Sequence, residues 1–405
     1  MWPGMQSISI SEVPRRAEPA MTHNTLRLLY ALAFGSLGAI LPYLAVELEE
    51  AGLTTRSLGI VLLAFPVGRL ISGPLAAWLA DRYRLSARLL SGAWALAAVS
   101  ILLVAHATTV VGATTALLGY TLSVTTFGPI LDGVATALLG SERASYGRIR
   151  LWGSMGFLVM VLLGGMVRDH LGLSPLGLGS ILLAIAAVRA ALLRDVRTAP
   201  PPPILPALVG MLRSPGMVLL MVAAMLHTIT LTGYDLLFAS HVVRLGLPTR
   251  VAGWAMALGV AVEVMLMAAS PFLLRRVGTE KLLSLAIAAG VLRWGLTAMV
   301  TEPWAVVAVQ SLHGVTFGLF WVAAIHLISS RAEPGVEASS QSVFYLACWG
   351  VGGLVAVPLA TEVMAAWGSQ VMFGVFAGVS VLGVGVLLAA YRARIGAEAL
   401  RQGLP

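Results

Sequence analysis

The chain alternates long apolar stretches with short polar breaks. A helix needs about 20 mostly apolar residues to cross a bilayer, and twelve stretches of this chain satisfy that length. They span approximately residues 26–46, 57–80, 88–106, 109–136, 151–167, 175–193, 216–240, 251–272, 281–300, 303–328, 338–360 and 369–391. All are uniformly apolar, whereas the strands of an outer-membrane barrel are short and alternate between apolar and polar positions. The pattern therefore predicts an all-α polytopic membrane protein with twelve transmembrane helices.

The composition agrees with this prediction. Charged residues make up 11% of the chain and hydrophobic residues 58%, while soluble domains carry about 25% charged residues. The single cysteine, Cys348, excludes a disulfide framework and a cysteine-rich metal site. Residues 1–25 lack the apolar stretch of a signal peptide, so we predict that they form a disordered cytoplasmic tail.

The basic residues are distributed unequally between the two ends of the predicted helices. Nineteen Lys and Arg residues fall at one end, in loops and tails, and four fall at the other end. The four are Arg56, Arg168, Arg244 and Arg250. Because cytoplasmic loops of membrane proteins are enriched in Lys and Arg, we predict that both termini are cytoplasmic, in the inner membrane. The opposite end of the helices is called the arginine-poor end below.

This distribution also explains the net charge of +8. The basic loops can contact anionic lipid headgroups, so the charge indicates topology and lipid contact. Binding to nucleic acid is not expected.

A proline-rich break divides the chain into two halves. The prolines of residues 194–215 predict a stiff, non-helical cytoplasmic linker. It separates six predicted helices in residues 26–193 from six in residues 216–391, and residues 392–405 form a second cytoplasmic tail. We therefore predict two bundles of six helices each.

The two halves carry traces of an internal repeat. A shift of 194 residues places a cluster of five residues on five identical ones, namely Gly52, Leu53, Thr55, Arg56 and Gly59 on Gly246, Leu247, Thr249, Arg250 and Gly253. Parallel repeats of this kind relate the two halves of transporters by an axis along the membrane normal. The repeat predicts that the two bundles are pseudo-symmetric.

The same shift pairs two ionisable residues in the middle of predicted helices, Arg69 and Glu263. A charge at the bilayer centre costs at least about 2.5–3.5 kcal/mol and therefore faces protein or water. Pseudo-symmetry predicts that both residues line one central cavity, where they face each other or a shared ligand, and we assign Arg69 to binding that ligand. The alternative is that each charge is neutralised inside its own half.

The tenth predicted helix carries polar residues on one face. Gln310, His313, Phe317 and Phe320 follow the spacing i, i+3, i+7 and i+10 of a helix face. His313 lies about 15 Å from the end of this helix, near mid-depth, although a packing histidine bonded to a neighbouring helix would satisfy the same pattern. We assign Gln310, His313 and Phe317 to solute binding, and add Tyr120 and Ser123 of the fourth helix to this set.

Two further charges reach the depth of His313, namely Glu263 on the eighth helix and Arg293 on the ninth. A carboxylate, a guanidinium and an imidazole at one level can exchange a proton, because imidazole titrates near neutrality and a nearby cation alters how a carboxyl group holds its proton. We therefore predict that Glu263, His313 and Arg293 form a proton-coupling site.

Other charged residues lie near the helix ends. Asp81, Arg82, Asp132 and Arg148 fall at the arginine-rich end and are predicted to form a cytoplasmic gate, with a structural ion pair or a substrate ligand as the alternatives for Asp132. Asp235 is placed toward the outer end of the seventh helix, as an entrance residue or an interfacial one. The acids Glu47, Glu49 and Glu50 are predicted to be solvated in an external loop.

Several motifs resemble known transporters. The loop WLADRYRLSAR (residues 78–88) is similar to the signature of the major facilitator superfamily, with Asp81 and Arg82 at its acidic and basic positions and Ala77 and Arg84 in place of its glycines. More narrowly, the chain resembles the 3-phenylpropionate transporter group, which is similar to proton-linked nucleoside and lactose symporters. The stretches that carry this likeness are GAILPYLAVELEEAGL, GPLAAWLADR, SYGRIRLWGSMGF, GVLRWG and QSLHGVTFG.

The resemblance implies proton-driven uptake of a small organic solute. Glu263, Arg293 and His313 are similar, by helix and residue type, to the coupling residues of lactose symporters. Those symporters carry an acid one turn after the histidine, where this chain has Thr316, so Glu263 would serve alone. Trp321 stands where the phenylpropionate group implies a histidine, which leaves the solute open.

The remaining function classes fit less well. The sequence contains neither an HExxH motif nor a nucleophile elbow, so it is not expected to be an enzyme or to bind a metal or cofactor. A sensor would need a soluble effector domain, and a passive channel would not need two moving halves. We predict a monomeric proton symporter with alternating access, favouring an aromatic or other organic acid as solute. A nucleoside or sugar symporter and a proton-driven exporter remain alternatives.

Overall fold

The computed structural model describes residues 19–71, 86–125, 127–139, 146–193, 204–332 and 335–401. Within these ranges the chain is helical and has no strand. The first half contains α1 (Pro19–Ile40), α2 (Leu44–Glu50), α3 (Thr55–Leu62), α4 (residues 64–71 as far as described), α5 (Ser86–Ala105), α6 (Val110–Val124), α7 (Phe127–Leu139), α8 (Tyr146–Leu171) and α9 (Pro175–Ala191). The second half contains α10 (Ile204–Leu212), α11 (Pro215–Arg244), α12 (Thr249–Val277), α13 (Thr279–Met299), α14 (Pro303–Val309), α15 (Phe320–Arg331), α16 (Glu337–Tyr345), α17 (Gly352–Trp367) and α18 (Ser369–Arg401).

Eight helical stretches of the described chain are long and apolar enough to cross a bilayer. A ninth span results when α1 and α2, which bend by 41° at their junction, are counted together. The other predicted spans correspond to α6 with α7, to α9, and to α3 with α4, whose predicted continuation over 72–80 lies outside the described residues. The predicted all-α polytopic fold is confirmed by these helices. They form because long apolar runs in lipid can satisfy their backbone groups only as helices or closed barrels.

The linker was predicted incorrectly in part. Residues 204–212 form α10, although the segment 194–215 was expected to be non-helical. Pro206 falls in the first turn of α10, where the missing backbone N–H has no partner within the helix. Ala207 and Met211, one turn apart, are buried in the apolar cluster of the second half. Burial of this apolar face therefore stabilises a helix after the proline run.

Two π-helical turns interrupt the tenth and eleventh predicted helices, at Gly314–Leu319 and Leu346–Val351. Such turns free backbone carbonyls from the regular helical pattern. Adjacent residues of α11 bond to these turns: His227 Nε2 lies 2.7 Å from the carbonyl oxygen of Thr316, and Thr228 Oγ1 donates to that of Cys348 at 3.2 Å. The helix face expected from uniform spacing therefore changes after His313.

The two halves pack against each other at the arginine-poor end. A Cβ on Gly59 of α3 would lie 2.5 Å from Thr361 Oγ1 of α17, and a Cβ on Gly253 of α12 would lie 2.7 Å from the carbonyl oxygen of Val161 in α8. These two glycines are equivalent in the internal repeat, so the repeat preserves two places where helices of opposite halves approach closely. At the other end, the second half has an apolar cluster composed of its own residues, among them Leu220, Leu283 and Phe344.

Candidate functional site

A carboxylate–imidazole pair lies in the membrane interior of the second half. Glu263 Oε2 of α12 lies 3.3 Å from His313 Nε2, just before the π-helical turn, and the two side chains are 15% and 10% exposed. The His313 ring stacks on Phe317 at a centroid distance of 5.3 Å and an interplanar angle of 6°. The pair therefore has limited access to the space beside Phe317, which is itself half-buried.

Glycines set the separation of the two helices that carry this pair. A Cβ on Gly259 would lie 2.9 Å from the Cβ of His313, and a Cβ on Gly314 would lie 2.8 Å from the backbone nitrogen of Glu263. Small residues at such positions allow the close helix packing that is common in membranes. The geometry of the Glu263–His313 pair thus depends on Gly259 and Gly314, which have no functional group of their own.

Substitution of Gly314 by alanine is expected to destabilise the protein by about 1–3 kcal/mol, the usual range for overpacking. The added methyl group would press on Val262 and on the backbone of Glu263. Thermal unfolding of the purified protein in detergent measures the effect. Gly378→Ala is the control, because a Cβ at that position meets nothing within 4 Å. Equal melting temperatures for the two variants would contradict the packing argument.

Arg293 is held in place by neutral groups. Its side chain is fully buried, and its Nε and Nη2 donate to Gln310 Oε1 at 3.1 and 2.9 Å. Its Nη1 donates to Thr316 Oγ1 at 2.8 Å. The guanidinium also lies over the rings of Tyr234 and Trp294, at 4.2 and 4.3 Å from their centroids. Arg293 is therefore a fixed internal charge next to the pair and does not contact Glu263 here.

Gln310 is the hydrogen-bond acceptor that orients Arg293. Its amide nitrogen donates to Thr297 Oγ1 at 3.2 Å while its oxygen accepts from Arg293, and the side chain is fully buried. Gln310 lies at the predicted depth, but its side chain points into the protein interior. Phe320 also points inward and packs on His227, with 4.6 Å between the ring centroids. His313 and Phe317 are the members of this predicted face that reach the site.

The two predicted solute residues of the fourth helix are enclosed in the first half. Tyr120 is fully buried and packs edge-on against Phe65 at a centroid distance of 6.3 Å. Ser123 is 4% exposed and donates to the carbonyl oxygen of Gly119 at 2.7 Å. In this conformation both side chains pack inside the first half and do not line its surface.

Arg69 of α4 is half-buried, as expected for a residue at the edge of a cavity. The predicted opposition of Arg69 and Glu263 is not a direct ion pair. Both residues instead interact electrostatically with Asp235 of α11, as does Arg293. From the sequence, Asp235 was expected near the outer end because the predicted helix stopped at residue 240. Helix α11 continues to Arg244, which puts Asp235 about 14 Å from its end at 1.5 Å per residue.

The predicted cytoplasmic gate is described in part. Asp81 and Arg82 lie outside the described residues. Asp132 accepts a hydrogen bond of 2.5 Å from the Tyr30 hydroxyl and lies 3.9 Å from Arg150 Nε, while Arg148 is exposed on the first turn of α8. All of these contacts of Asp132 stay within the first half, which matches the structural ion pair considered for it.

The arginine-poor end carries a set of ion pairs that the sequence analysis missed. All four arginines of this end are paired: Arg56 with Glu362 (3.1 Å), Arg244 with Glu49 (2.6 Å), Arg250 with Asp169 (3.4 Å), and Arg168 with Glu47 and Glu50. The prediction that the three glutamates are merely solvated was wrong. Three of the four arginines bind an acid of the opposite half, so these contacts close the arginine-poor end.

Asp169 also caps a helix of the other half. Its carboxylate accepts hydrogen bonds from the backbone nitrogens of Thr249 (3.2 Å) and Arg250 (2.8 Å) at the start of α12. The N-cap residue of α12 is Pro248, whose side chain makes no capping bond. The first N–H groups of a helix need an acceptor, and α8 supplies it across the interface. Arg250 and its repeat equivalent Arg56 therefore both sit where α12 and α3 begin and meet the opposite half.

Comparisons with known proteins agree with this architecture. The model of the MFS_1 like family matches residues 23–357. The chain is 28% identical over 366 residues to the maltose permease of Geobacillus stearothermophilus, covering 89% of this chain and 92% of that protein. It is also 28% identical over 345 residues to the "Probable 3-phenylpropionic acid transporter" of Escherichia coli (strain K12), covering 82% of this chain and 88% of that protein.

Solved structures show the same fold. The crystal structure of the nucleoside transporter NupG (D323A mutant) superposes with a TM-score of 0.84 at 18% identity, covering 91% of this chain and 100% of that one. The described glycine contacts, buried charges and closed end thus belong to an architecture that is already known.

Proposed function

The chain belongs to the MFS_1 like family of the major facilitator type, and from this premise we propose that it moves a small organic solute across the inner membrane by proton symport with alternating access. It is an integral membrane transporter and not an enzyme. What the family leaves open is the driving ion and the solute.

The observation that carries the proposal is the Glu263–His313 pair. A carboxylate and an imidazole 3.3 Å apart in the membrane interior can share one proton, because a carboxylate accepts hydrogen bonds and an imidazole nitrogen can either donate or accept one. The pair is partly exposed beside Phe317, whereas Arg293 is buried and committed to neutral acceptors. Glu263 and His313 are therefore proposed as the proton-exchange site, and Arg293 as the fixed charge that tunes it.

Closure at one end supports alternating access. The ion pairs and the Asp169 cap join the halves at the arginine-poor end, which the distribution of basic residues assigns to the outside. In this conformation the path to Glu263 is proposed to lead from the cytoplasm. Rupture of the outer contacts and closure of the arginine-rich end would then expose the same site to the outside.

Two solute classes fit an arginine on the cavity wall. An organic acid would pair with Arg69, and the name of one relative, a phenylpropionic acid transporter, points to this class. A neutral hydroxylated solute would instead use hydrogen bonds, and the maltose permease and the nucleoside transporter point to that class. The choice depends on the other charges that the solute meets.

Proton coupling can be tested with purified protein in liposomes that contain a pH-sensitive dye. Addition of labelled maltose, uridine or 3-phenylpropionate should produce solute uptake and acidification of the lumen together, and a protonophore should abolish accumulation above equilibrium. His313→Ala is expected to shift the pH optimum of uptake or weaken solute affinity, because the carboxyl group of Glu263 loses its partner. Uptake without proton movement, or an unchanged pH profile in the variant, would contradict the assignment.

A further inference from the structure

We propose that Asp235 is a solute-binding residue, which together with Arg69 selects an uncharged solute rich in hydroxyl or N–H groups over a carboxylate. This proposal rests on the function proposed above and names the solute class for the same cavity. It concerns a residue that the sequence pattern placed near the membrane surface.

The exposure of α11 shows where Asp235 points. From His227 to Val242 every residue of this helix is buried except Asp235, which is half-buried. Helix α11 is therefore surrounded by other helices along this stretch, and only the Asp235 side chain reaches open space. A lipid-facing position would expose neighbouring turns as well, because residues three and four apart lie on one helix face. The electrostatic interaction of Asp235 with Arg69 of the first half indicates that this open space lies between the halves.

The charges around Asp235 come from both halves. It interacts electrostatically with Arg293 and Glu263 of the second half and with Arg69 of the first half. Arg293 is committed to Gln310 and Thr316, and Glu263 to His313. In the described part of the chain, neither Asp235 nor Arg69 forms a hydrogen bond or ion pair. Among the described residues, one acid of the second half and one base of the first half thus interact electrostatically while neither has a direct partner.

Such a pair is complementary to particular chemical groups. A carboxylate only accepts hydrogen bonds and a guanidinium only donates them, so hydroxyl groups, which do both, can bridge the two. Bonds to charged groups are stronger than those between neutral groups. The stacked rings of Phe317 and His313 add an apolar surface at the same level for a sugar ring or a nucleobase.

A carboxylate solute would fit this site less well. It could pair with Arg69, but it would also meet the carboxyl groups of Asp235 and Glu263, which repel an anion whenever they are ionised, in a medium that screens poorly. Specificity of this kind often depends on a repulsive element against the wrong ligand. Asp235 supplies that element, so the favoured solute is a sugar or nucleoside rather than the organic acid predicted from the sequence.

Binding to the purified full chain in lipid nanodiscs tests the selectivity without any proton gradient. The wild type should bind maltose or uridine more tightly than 3-phenylpropionate. Asp235→Ala should weaken binding of the hydroxylated probe by about tenfold or more, as expected when a charged hydrogen-bond partner is lost. Asp235→Asn should strengthen binding of 3-phenylpropionate, because one of the two carboxyl groups that oppose an anion beside Arg69 is then replaced by a neutral amide. Glu302→Ala, at an exposed loop position, is the control and should match the wild type.

The orientation of Asp235 is tested separately by labelling. The lone cysteine, Cys348, is fully buried, and its replacement by serine gives a background without thiols. In that background D235C should react with a charged, water-soluble thiol reagent, and the hydroxylated probe that binds should protect it. F238C, one turn further along α11 and 1% exposed, should remain unreactive.

The outcomes separate this proposal from the one on which it rests. If no hydroxylated probe binds, if Asp235→Ala binds as the wild type does, or if D235C resists labelling, the role of Asp235 is overturned while proton coupling through Glu263 stands. If solute moves without protons in the liposome assay, the coupling mechanism fails, and the binding selectivity still decides the role of Asp235.

Discussion

The Glu263→Gln variant should exchange solute across the membrane but lose all accumulation driven by a pH gradient. The amide has nearly the shape of the carboxyl group, and its oxygen can still accept a hydrogen bond from His313 Nε2, which lies 3.3 Å from the carboxylate. It cannot ionise, so the transporter would behave as if permanently protonated. One pH unit is worth about 1.4 kcal/mol, or about a tenfold solute gradient for one proton per solute. In the variant, the ratio of internal to external solute concentration should therefore fall to about one.

Counterflow and pH-jump uptake in liposomes distinguish the two activities. Exchange of internal for external labelled solute needs no net proton movement, so it should persist in Glu263→Gln. Glu302→Gln removes an exposed acid in the loop before α14, outside this pair, and should accumulate solute normally. Continued accumulation by Glu263→Gln after an acid pulse would exclude Glu263 as the coupling residue. Loss of both exchange and accumulation would point instead to a structural role.

The Asp169→Ala variant should open the arginine-poor end. It removes an ion pair with Arg250 and the acceptor for two backbone N–H groups of α12. Hydrogen bonds to charged groups contribute about 1.5–3 kcal/mol each, so loss of two such bonds should cost the closed conformation about 3 kcal/mol or more. A change of about 2.7 kcal/mol alters a conformational equilibrium roughly a hundredfold. The outward-open state should therefore become well populated.

Spin labels at exposed positions on the two halves report this opening. Suitable positions are Ala51, after α2, and Trp367, at the end of α17. The distance between them should lengthen in Asp169→Ala. Asp169→Asn keeps a side-chain oxygen for the backbone N–H groups and should show an intermediate effect. Glu50→Ala is the control, because Glu50 pairs with Arg168 inside the first half. Identical distance distributions in the wild type and Asp169→Ala would refute the role of this contact.

The fold was predictable because lipid imposes a simple rule on the backbone. Apolar length alone predicted a helix over residues 251–272, and the structure has a helix from Thr249 to Val277. Features that depend on neighbouring helices were not predictable. The π-helical turns satisfy carbonyls through His227 and Thr228 of another helix, and α10 forms because its face is buried against the second half.

The candidate site was likewise predictable only where it did not depend on neighbouring helices. The depth of Glu263, Arg293 and His313 could be read from their positions in apolar runs, and the structure places the three close together. The partners of these residues could not be read in the same way. Asp235 was misplaced because a helix end was set four residues too early. The acids at the arginine-poor end were taken as solvated because their arginines, Arg168 and Arg244, are distant from them in the chain.

The two repeat-related contacts at the closed end differ in strength, and this sets the order in which the halves should separate. The Arg56–Glu362 pair is exposed, at 69% and 58%, and exposed pairs contribute at most about 1 kcal/mol and weaken in salt. Asp169 is 12% exposed and also holds backbone groups. The α3–α17 edge should therefore separate first, and the α8–α12 edge should separate last.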